Sequence, residues 1–301
     1  MRKKTYLVSF IATIVVLLLI SFAVYSFLNM NLGIKSDVVS GIDKTKVTER
    51  FNVLLLGTDK GKMLTDTIML VNVDPQNGKI NLVSIPRDTL IKYKNRNQKI
   101  NACLSLNNGK LDLLVEKIKK ITDVPINYYV KIDFSGFRNV IDILGGVQID
   151  VKTNMDYDDP AQNLHIHIKK GLQVLNGFNS EGYVRFRHTY AEGDIKRTEV
   201  QRDFLKELVR QKLQPKYITK APELINQLYK YVESNFLVKD AAGLSSNLDK
   251  FDSETCFTSF TLSGSAQYID EVSYYIVDES ETQKLMQESF SVSDTHTVTS
   301  K

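Results

Sequence analysis

The residues best equipped for chemistry stand in four short segments. In the first, Gly57-Thr58-Asp59 is followed after a short loop by Thr65-Asp66-Thr67. Two carboxylates brought together are hard oxygen donors of the kind that hold magnesium, which takes one or two carboxylates and completes its shell with phosphate oxygens and water. Asp59 and Asp66 would serve as readily as turn residues bonding their own backbone, and spacing alone favours that simpler role. In the second, Ser84-Ile85-Pro86-Arg87-Asp88-Thr89, a proline sets the turn ahead of Arg87. The alternative there is a surface Arg87–Asp88 pair of little energetic value. In the third, Tyr183-Val184-Arg185-Phe186-Arg187, the two arginines face the same way only where the backbone is extended or is leaving a helix end. Guanidinium groups grip phosphate through paired N–H donors. A phosphate contact and a solvated edge fit this pair equally.

The fourth segment carries the strongest physical argument. Asp194 is fitted to cap a helix that begins at Ile195 and runs to about Leu213. Arg197 falls in its first turn, Gln201 lies one turn on, and Phe204, Leu205 and Leu208 continue the same stripe. Arg197 and Gln201 therefore point toward the interior, where an arginine needs an anionic partner. A helix N-terminus is itself attractive to anions, so a phosphate would satisfy both, as would an internal salt bridge to an aspartate. His165 and His167 could share one face of a strand, but the sequence singles out no third ligand, and a polar strand is the expectation. No Walker sequence, GxGxxG or nucleophile elbow is present.

The elements that must position these residues follow from hydrophobic pattern. Phe51 to Leu56 is an apolar run suited to a buried strand. Thr67 to Val73 and Lys79 to Ile85 are two further strands, joined as a hairpin by the turn residues Asp74-Pro75-Gln76-Asn77-Gly78. Leu111, Leu114, Val115, Ile118 and Ile121 recur at helical spacing. Asn127 to Asp133 is a strand, Phe134 to Leu144 a helix stopped by Gly145-Gly146, and Val147 to Val151 a short strand. Asn154 to Gly171 is polar and predicted irregular; Ser273 to Val277 is a late strand. Alternating strands and helices, with several strands lacking polar alternation, predict one α/β domain whose mostly buried sheet is covered by helices on both faces.

At 301 residues with 43% hydrophobic and 25% charged residues, the chain can bury a sizeable core. A net charge of only +4 gives no basic field for nucleic acid. Cys103 and Cys256 lie far apart with no CxxC partner, which speaks against zinc and leaves either one disulfide or, as the preferred reading, two unpaired core thiols. Thr5 to Leu28 holds no charged residue and is long enough to cross a bilayer, with Arg2, Lys3 and Lys4 before it. That pattern predicts a cytoplasmic stretch over 1–4, an uncleaved transmembrane signal anchor over 5–28, a linker over 29–50, an extracytoplasmic domain over 51–289 and a disordered tail over 290–301.

Taken in order, the segments resemble the LytR–CpsA–Psr family of cell-wall glycopolymer transferases. The resemblance rests on Asn52 to Asp59, Thr65 to Leu70, Leu82 to Thr89, Lys99 to Ala102, Tyr128 to Val130, Ile132 to Phe134, Gly145 to Val147, Tyr183 to Arg187, Gly193-Asp194, Arg197 and Gln201. It implies an α/β/α sandwich with a mostly buried mixed central sheet, single-pass in the cell membrane and facing outward. It implies a phosphotransferase that moves a glycopolymer (teichoic acid, capsule or a related wall glycan) from a polyprenyl-pyrophosphate carrier to peptidoglycan through a phosphodiester. By the same likeness Asp59 and Asp66 hold magnesium, or manganese in its place. Arg87, Arg185, Arg187, Arg197 and Gln201 grip the pyrophosphate, and the lipid lies in an apolar channel through the core. Asp88 and Asp194 are the candidates for taking the acceptor's proton. The implied partners are the lipid-linked glycan, peptidoglycan and the membrane, with no nucleic acid. Hydrolysis of the carrier pyrophosphate, or lipid binding without catalysis, are the alternatives.

Overall fold

The computed structural model describes residues 39–43, 45–59, 61–160, 164–186, 194–212, 232–235, 250–251 and 255–290. The expected anchor over 5–28 and half of the linker over 29–50 lie outside these, and no helix of the described residues is long and apolar enough to cross a membrane.

The central sheet grows from the apolar runs. Strands β1 (Phe51–Thr58), β2 (Thr65–Asp74) and β3 (Lys79–Ser84) are adjacent and antiparallel. The β2–β3 turn forms as its residues dictate: Asp74 Oδ1 accepts from the amides of Gln76 and Asn77, both at 3.1 Å. Burial pushes the Asp74 carboxyl up, yet hydrogen bonds from Asn77 and Arg50 outweigh it and hold the group below the usual carboxylate range. A hairpin β4 (Leu90–Tyr93) and β5 (Arg96–Lys99) follows, then a short helix α1 (Cys103–Leu106) and the amphipathic α2 (Asp112–Thr122). Strand β6 (Tyr128–Asp133) joins β1 in parallel. Later segments close the sheet: β11 (Val232–Ser234) flanks β6 and β12 (Phe257–Thr261) flanks β3, giving the order β11-β6-β1-β2-β3-β12. Strands β1, β3, β6 and β12 run one way and β2 and β11 the other, so the sheet is mixed.

One face of the sheet carries Leu54, Leu56, Ile68, Leu70, Val83 and Tyr129 into a core filled by α2 and by α6 (Glu279–Ser289), whose Met286 is buried there. A polar seam runs through this face. Asn52, Asn72 and Asn127 are nearly or fully buried. Asn72 Nδ2 donates to Asn52 Oδ1 at 2.8 Å, Asn52 Nδ2 donates to the Pro125 carbonyl at 2.8 Å, and the Asn52 amide donates to Asn127 Oδ1 at 2.7 Å. The opposite face presents Val53, Leu55, Met69, Val71, Leu82 and Val130 by strand alternation. It lies toward α5 (Asp194–Lys212), since Thr67 on β2 bonds Gln201 on α5.

The sequence predicts one core; the described residues build two. The second is made by α3 (Phe134–Ile143), α4 (Gly177–Arg185), α5 and two small antiparallel pairs, β7 (Val147–Val151) with β10 (Gly171–Leu175) and β8 (Met155–Asp159) with β9 (Leu164–Ile168). Asp133 caps α3 by accepting from the Gly136 amide at 2.8 Å, and Gly145 and Gly146, both at φ +76°, end it. A Cβ on Gly177 would stand 2.2 Å from the Arg138 carbonyl, so α3 and α4 approach this closely only because Gly177 lacks one. The polar stretch predicted to be irregular over 154–171 contains the β8–β9 hairpin. Its polarity is confined to one side: Met155, Ile166 and Ile168 are buried while Asp156, Asp158, His165 and His167 face outward, the alternation of a one-sided antiparallel pair. A last hairpin, β13 (Gly264–Ile269) with β14 (Val272–Val277), contains the predicted late strand and leads into α6.

Cys103 and Cys256 are both buried core thiols outside any disulfide, as the preferred reading has it. Burial pushes the Cys103 thiol up to about 12. The reactive thiolate is therefore nearly absent at pH 8. Iodoacetamide should leave Cys103 unmodified in the folded protein and label it once denaturant is added, as read by peptide mass spectrometry.

Candidate functional site

The candidate residues gather at one edge of the sheet, where the carboxyl ends of β1, β3, β6 and β12 meet the start of β2. Ligand sites in open α/β sheets collect at such an edge. Asp59 follows β1 directly. Its Oδ1 accepts from the amides of Met63 and Leu64 at 2.9 and 3.0 Å, so the turn role expected from spacing holds for this residue. Lys62, in the same loop at φ +56°, reaches Asp133 at the end of β6 with Nζ–Oδ2 of 3.5 Å.

Asp66 departs from the turn role. Its Oδ1 accepts from Arg87 Nη1 at 2.7 Å, with both side chains about one-fifth exposed. Arg87 thus pairs across the β2–β3 hairpin with Asp66 and not with its neighbour Asp88, correcting the surface-pair alternative. Asp88 pairs with Lys99 of β5 at 3.0 Å.

Helix α5 completes this group and begins at Asp194, one residue before the predicted start. Arg197 is buried, and its Nη2 donates to the Asp66 main-chain carbonyl at 3.4 Å. The carboxylate of Asp66 goes to Arg87, so Asp66 meets Arg197 through its backbone. One turn on, Gln201 Oε1 accepts from Thr67 Oγ1 at 3.2 Å while its Nε2 donates to the Val184 carbonyl at 3.1 Å. Gln201 therefore ties β2 to α4.

The Tyr183–Arg187 segment divides between two conformations. Tyr183 to Arg185 end α4, and Phe186 turns extended, with φ −62° and ψ 134°. Arg185 Nη1 pairs with buried Glu181 Oε1 at 2.7 Å and its guanidinium lies 4.5 Å from the Phe134 ring centroid. Glu181 also takes Arg138 at 3.0 Å. Arg187 and the side chain of Asp194 lie outside the described residues.

Three contributions escape a reading of the sequence. Glu181 positions Arg185, and the signal was its place one helical turn before that arginine. Lys62 closes the Asp59 loop over Asp133. Arg202, half-buried on α5, reaches Thr261 Oγ1 at the end of β12, and burial lowers its pKa. Its neighbour Gln201 was the only local hint, because Thr261 lies far along the chain.

The donor set fits magnesium. Among the described residues, Asp59 and Asp66 each spend one oxygen, Oδ1, on the contacts above, leaving Oδ2 of each carboxylate as a hard donor at the same sheet edge.

The signature of the LytR_cpsA_psr family matches residues 26–291. The chain belongs to this family. Among relatives, it is 29% identical over 298 residues to the polyisoprenyl-teichoic acid–peptidoglycan teichoic acid transferase TagV of Bacillus subtilis (strain 168), covering 93% of this chain and 75% of that protein. It is 28% identical over 295 residues to TagU of the same strain, a transferase of the same description, covering 93% of each. The crystal structure of B. subtilis TagV superposes with a TM-score of 0.67 at 28% identity, covering 80% of this chain and 97% of that one. The LytR_cpsA_psr fold is thus a mixed α/β fold with a central mixed sheet here as in TagV, and the Asp66–Arg87–Arg197 group stands at the edge of that sheet.

Proposed function

We propose that this protein is a phosphotransferase that moves a teichoic acid or related wall glycopolymer from a polyprenyl-pyrophosphate carrier to peptidoglycan. The observation that carries the reading is the convergence of Arg87 and Arg197 on Asp66 at the carboxyl ends of the parallel strands, in a chain of this family. Phosphoryl transfer needs little covalent chemistry from a protein; positioning and charge stabilisation suffice.

Arg87, Arg197 and Gln201 would orient the pyrophosphate, with Arg185 reaching it from the end of α4 and Arg187 just beyond. The acceptor hydroxyl of peptidoglycan attacks the phosphorus next to the sugar, a new P–O bond forms, the bond to the lipid phosphate breaks, and the proton passes to a carboxylate. Asp88 and Asp194 are the candidates for that proton. Asp59 and Asp66 would hold magnesium, or manganese, through the oxygens their other contacts leave over; bound, the ion neutralises charge on the leaving phosphate. The apolar sheet face of Val53, Leu55, Met69, Val71, Leu82 and Val130 adjoins this edge and suits the polyprenyl chain. Residues 5–28 would anchor the protein with its domain outside, where the lipid carrier and peptidoglycan meet.

Full-length protein in detergent, incubated with magnesium, a labelled lipid-pyrophosphoryl glycan and peptidoglycan fragments, tests the reading. Coupled glycan–peptidoglycan product is expected. Chelation should abolish it, and added magnesium or manganese should restore it. Release of free glycan phosphate without coupling would make the protein a hydrolase, and retention without turnover would make it a binding protein.

A further inference from the structure

The outer face of the β8–β9 hairpin carries a constellation that the transfer reaction does not use. Strand register sets Asp158 opposite His165 and Asp156 opposite His167, all four on the solvent side. His165 Nδ1 lies 2.5 Å from Asp158 Oδ1, and His167 Nε2 lies 3.5 Å from the same oxygen. One ligand atom from each of Asp158, His165 and His167 falls within 4.8 Å of the others. Asp156 Oδ1 holds the remaining nitrogen of His167, Nδ1, at 2.6 Å.

We propose that this face binds a zinc-class transition metal through His165, His167 and Asp158. The chemistry selects the class: imidazole nitrogens suit zinc and its neighbours, whereas magnesium and calcium prefer all-oxygen shells. Ligands on a tetrahedral zinc with bonds of about 2.0–2.1 Å stand roughly 3.3 Å apart. The His167–Asp158 separation of 3.5 Å already matches this, and His165 would ease back from its direct hydrogen bond. Asp156 supplies what most metal-bound histidines have, a carboxylate on the second ring nitrogen that fixes the tautomer and leaves the other nitrogen for the ion. Three protein ligands leave the fourth position to water.

The placement gives the ion a structural role. The inner side of the hairpin, Ile166 and Ile168, lies against Gly182 of α4, the helix that ends at Arg185. An ion bridging the strands from outside therefore stiffens the layer on which α4 rests.

Zinc titrated calorimetrically into full-length protein, with excess magnesium present to occupy any oxygen site, is expected to bind with one equivalent per chain. Cobalt in its place should give the intense visible absorption of a tetrahedral site. The exposed substitutions His165→Asn and His167→Gln should each weaken zinc binding by at least about tenfold, the smallest loss usual for disturbing a metal's surroundings. They should leave the metal-free melting temperature unchanged and shrink the rise in melting temperature that zinc gives the wild type. Zinc binding preserved in the double variant overturns the proposal. So does binding that survives in the double variant but is lost in Asp66→Asn, which would place the ion at the other carboxylates.

Discussion

Replacing Asp66 with asparagine is expected to lower glycopolymer transfer by about two to three orders of magnitude, the range seen when one charge-stabilising group is removed from a preorganised site. The substitution keeps the shape and the Oδ1 acceptor, so Arg87 Nη1 retains its hydrogen bond. What disappears is the charge that faces a cation and balances Arg87. Both side chains of the pair are about one-fifth exposed, so solvent screens the lost attraction, and the stability cost should stay near 1 kcal/mol or less. For a domain this size that is a shift of about 4 °C or less in melting temperature. Parallel transfer assays and thermal melts check both halves. Full turnover in the variant would remove Asp66 from the metal role, and a large drop in melting temperature with turnover intact would make it a structural residue.

The largest effect on stability is expected elsewhere, at Asn52. This side chain is fully buried, accepts from Asn72 and donates to the Pro125 carbonyl. Asn52→Ala leaves the fully buried Asn72 amide without its acceptor and takes the hydrogen bond from the half-buried Pro125 carbonyl. An orphaned buried group costs about 1–3 kcal/mol, so the loss of both contacts should cost the variant about 3 kcal/mol. Its melting temperature should fall by roughly 6–12 °C. Filling the space with Asn52→Leu should not rescue it, because Asn72 and Pro125 remain unsatisfied. The double variant Asn52→Leu/Asn72→Leu should lose less than the two single changes added together, since each removes a group the other would orphan. Melts of the four proteins decide it; additive losses would mean the two asparagines do not act as a unit. Transfer assayed well below the melting transition should be nearly normal, the reverse of the Asp66 result.

These two positions also mark where sequence reading succeeds. The strand holding Asn52 is announced by the apolar run around it, and the β2–β3 turn by Asp74 and Gly78, because both signals are local. Helix α3 was legible through its periodicity and its glycine stop. The hairpin β8–β9 was not, since Asp156, Asp158, His165 and His167 mask a one-sided strand pattern with polar residues. Helix α6 was missed because it buries little beyond Thr282 and Met286, too sparse a stripe to stand out.

The site divides along the same line. That Arg87 and Arg197 matter could be argued from residue type and helix position. That both meet Asp66 could not, because it requires the antiparallel order of β1, β2 and β3 and a contact between residues 131 apart. Nor does sequence reveal that Glu181 holds both Arg185 and Arg138, or that Asp88 turns to Lys99.

The place of β12 in the sheet bears on how the protein is made. Residues 257–261 pair in parallel with residues 80–84, a contact between segments 177 residues apart. Pairings of such sequence separation form slowly, because the loop entropy is lost before any bond rewards it. Until then β3 is a bare edge strand with Leu82 and Val83 on it, a template for any passing chain. A polypeptide that has emerged only as far as α5 already carries the acids and arginines of the site, yet it is at that moment most prone to aggregate. Segments distant in synthesis thus set the period of greatest hazard during biogenesis, and a holdase acting on this chain has most to protect between the appearance of α5 and the docking of β12.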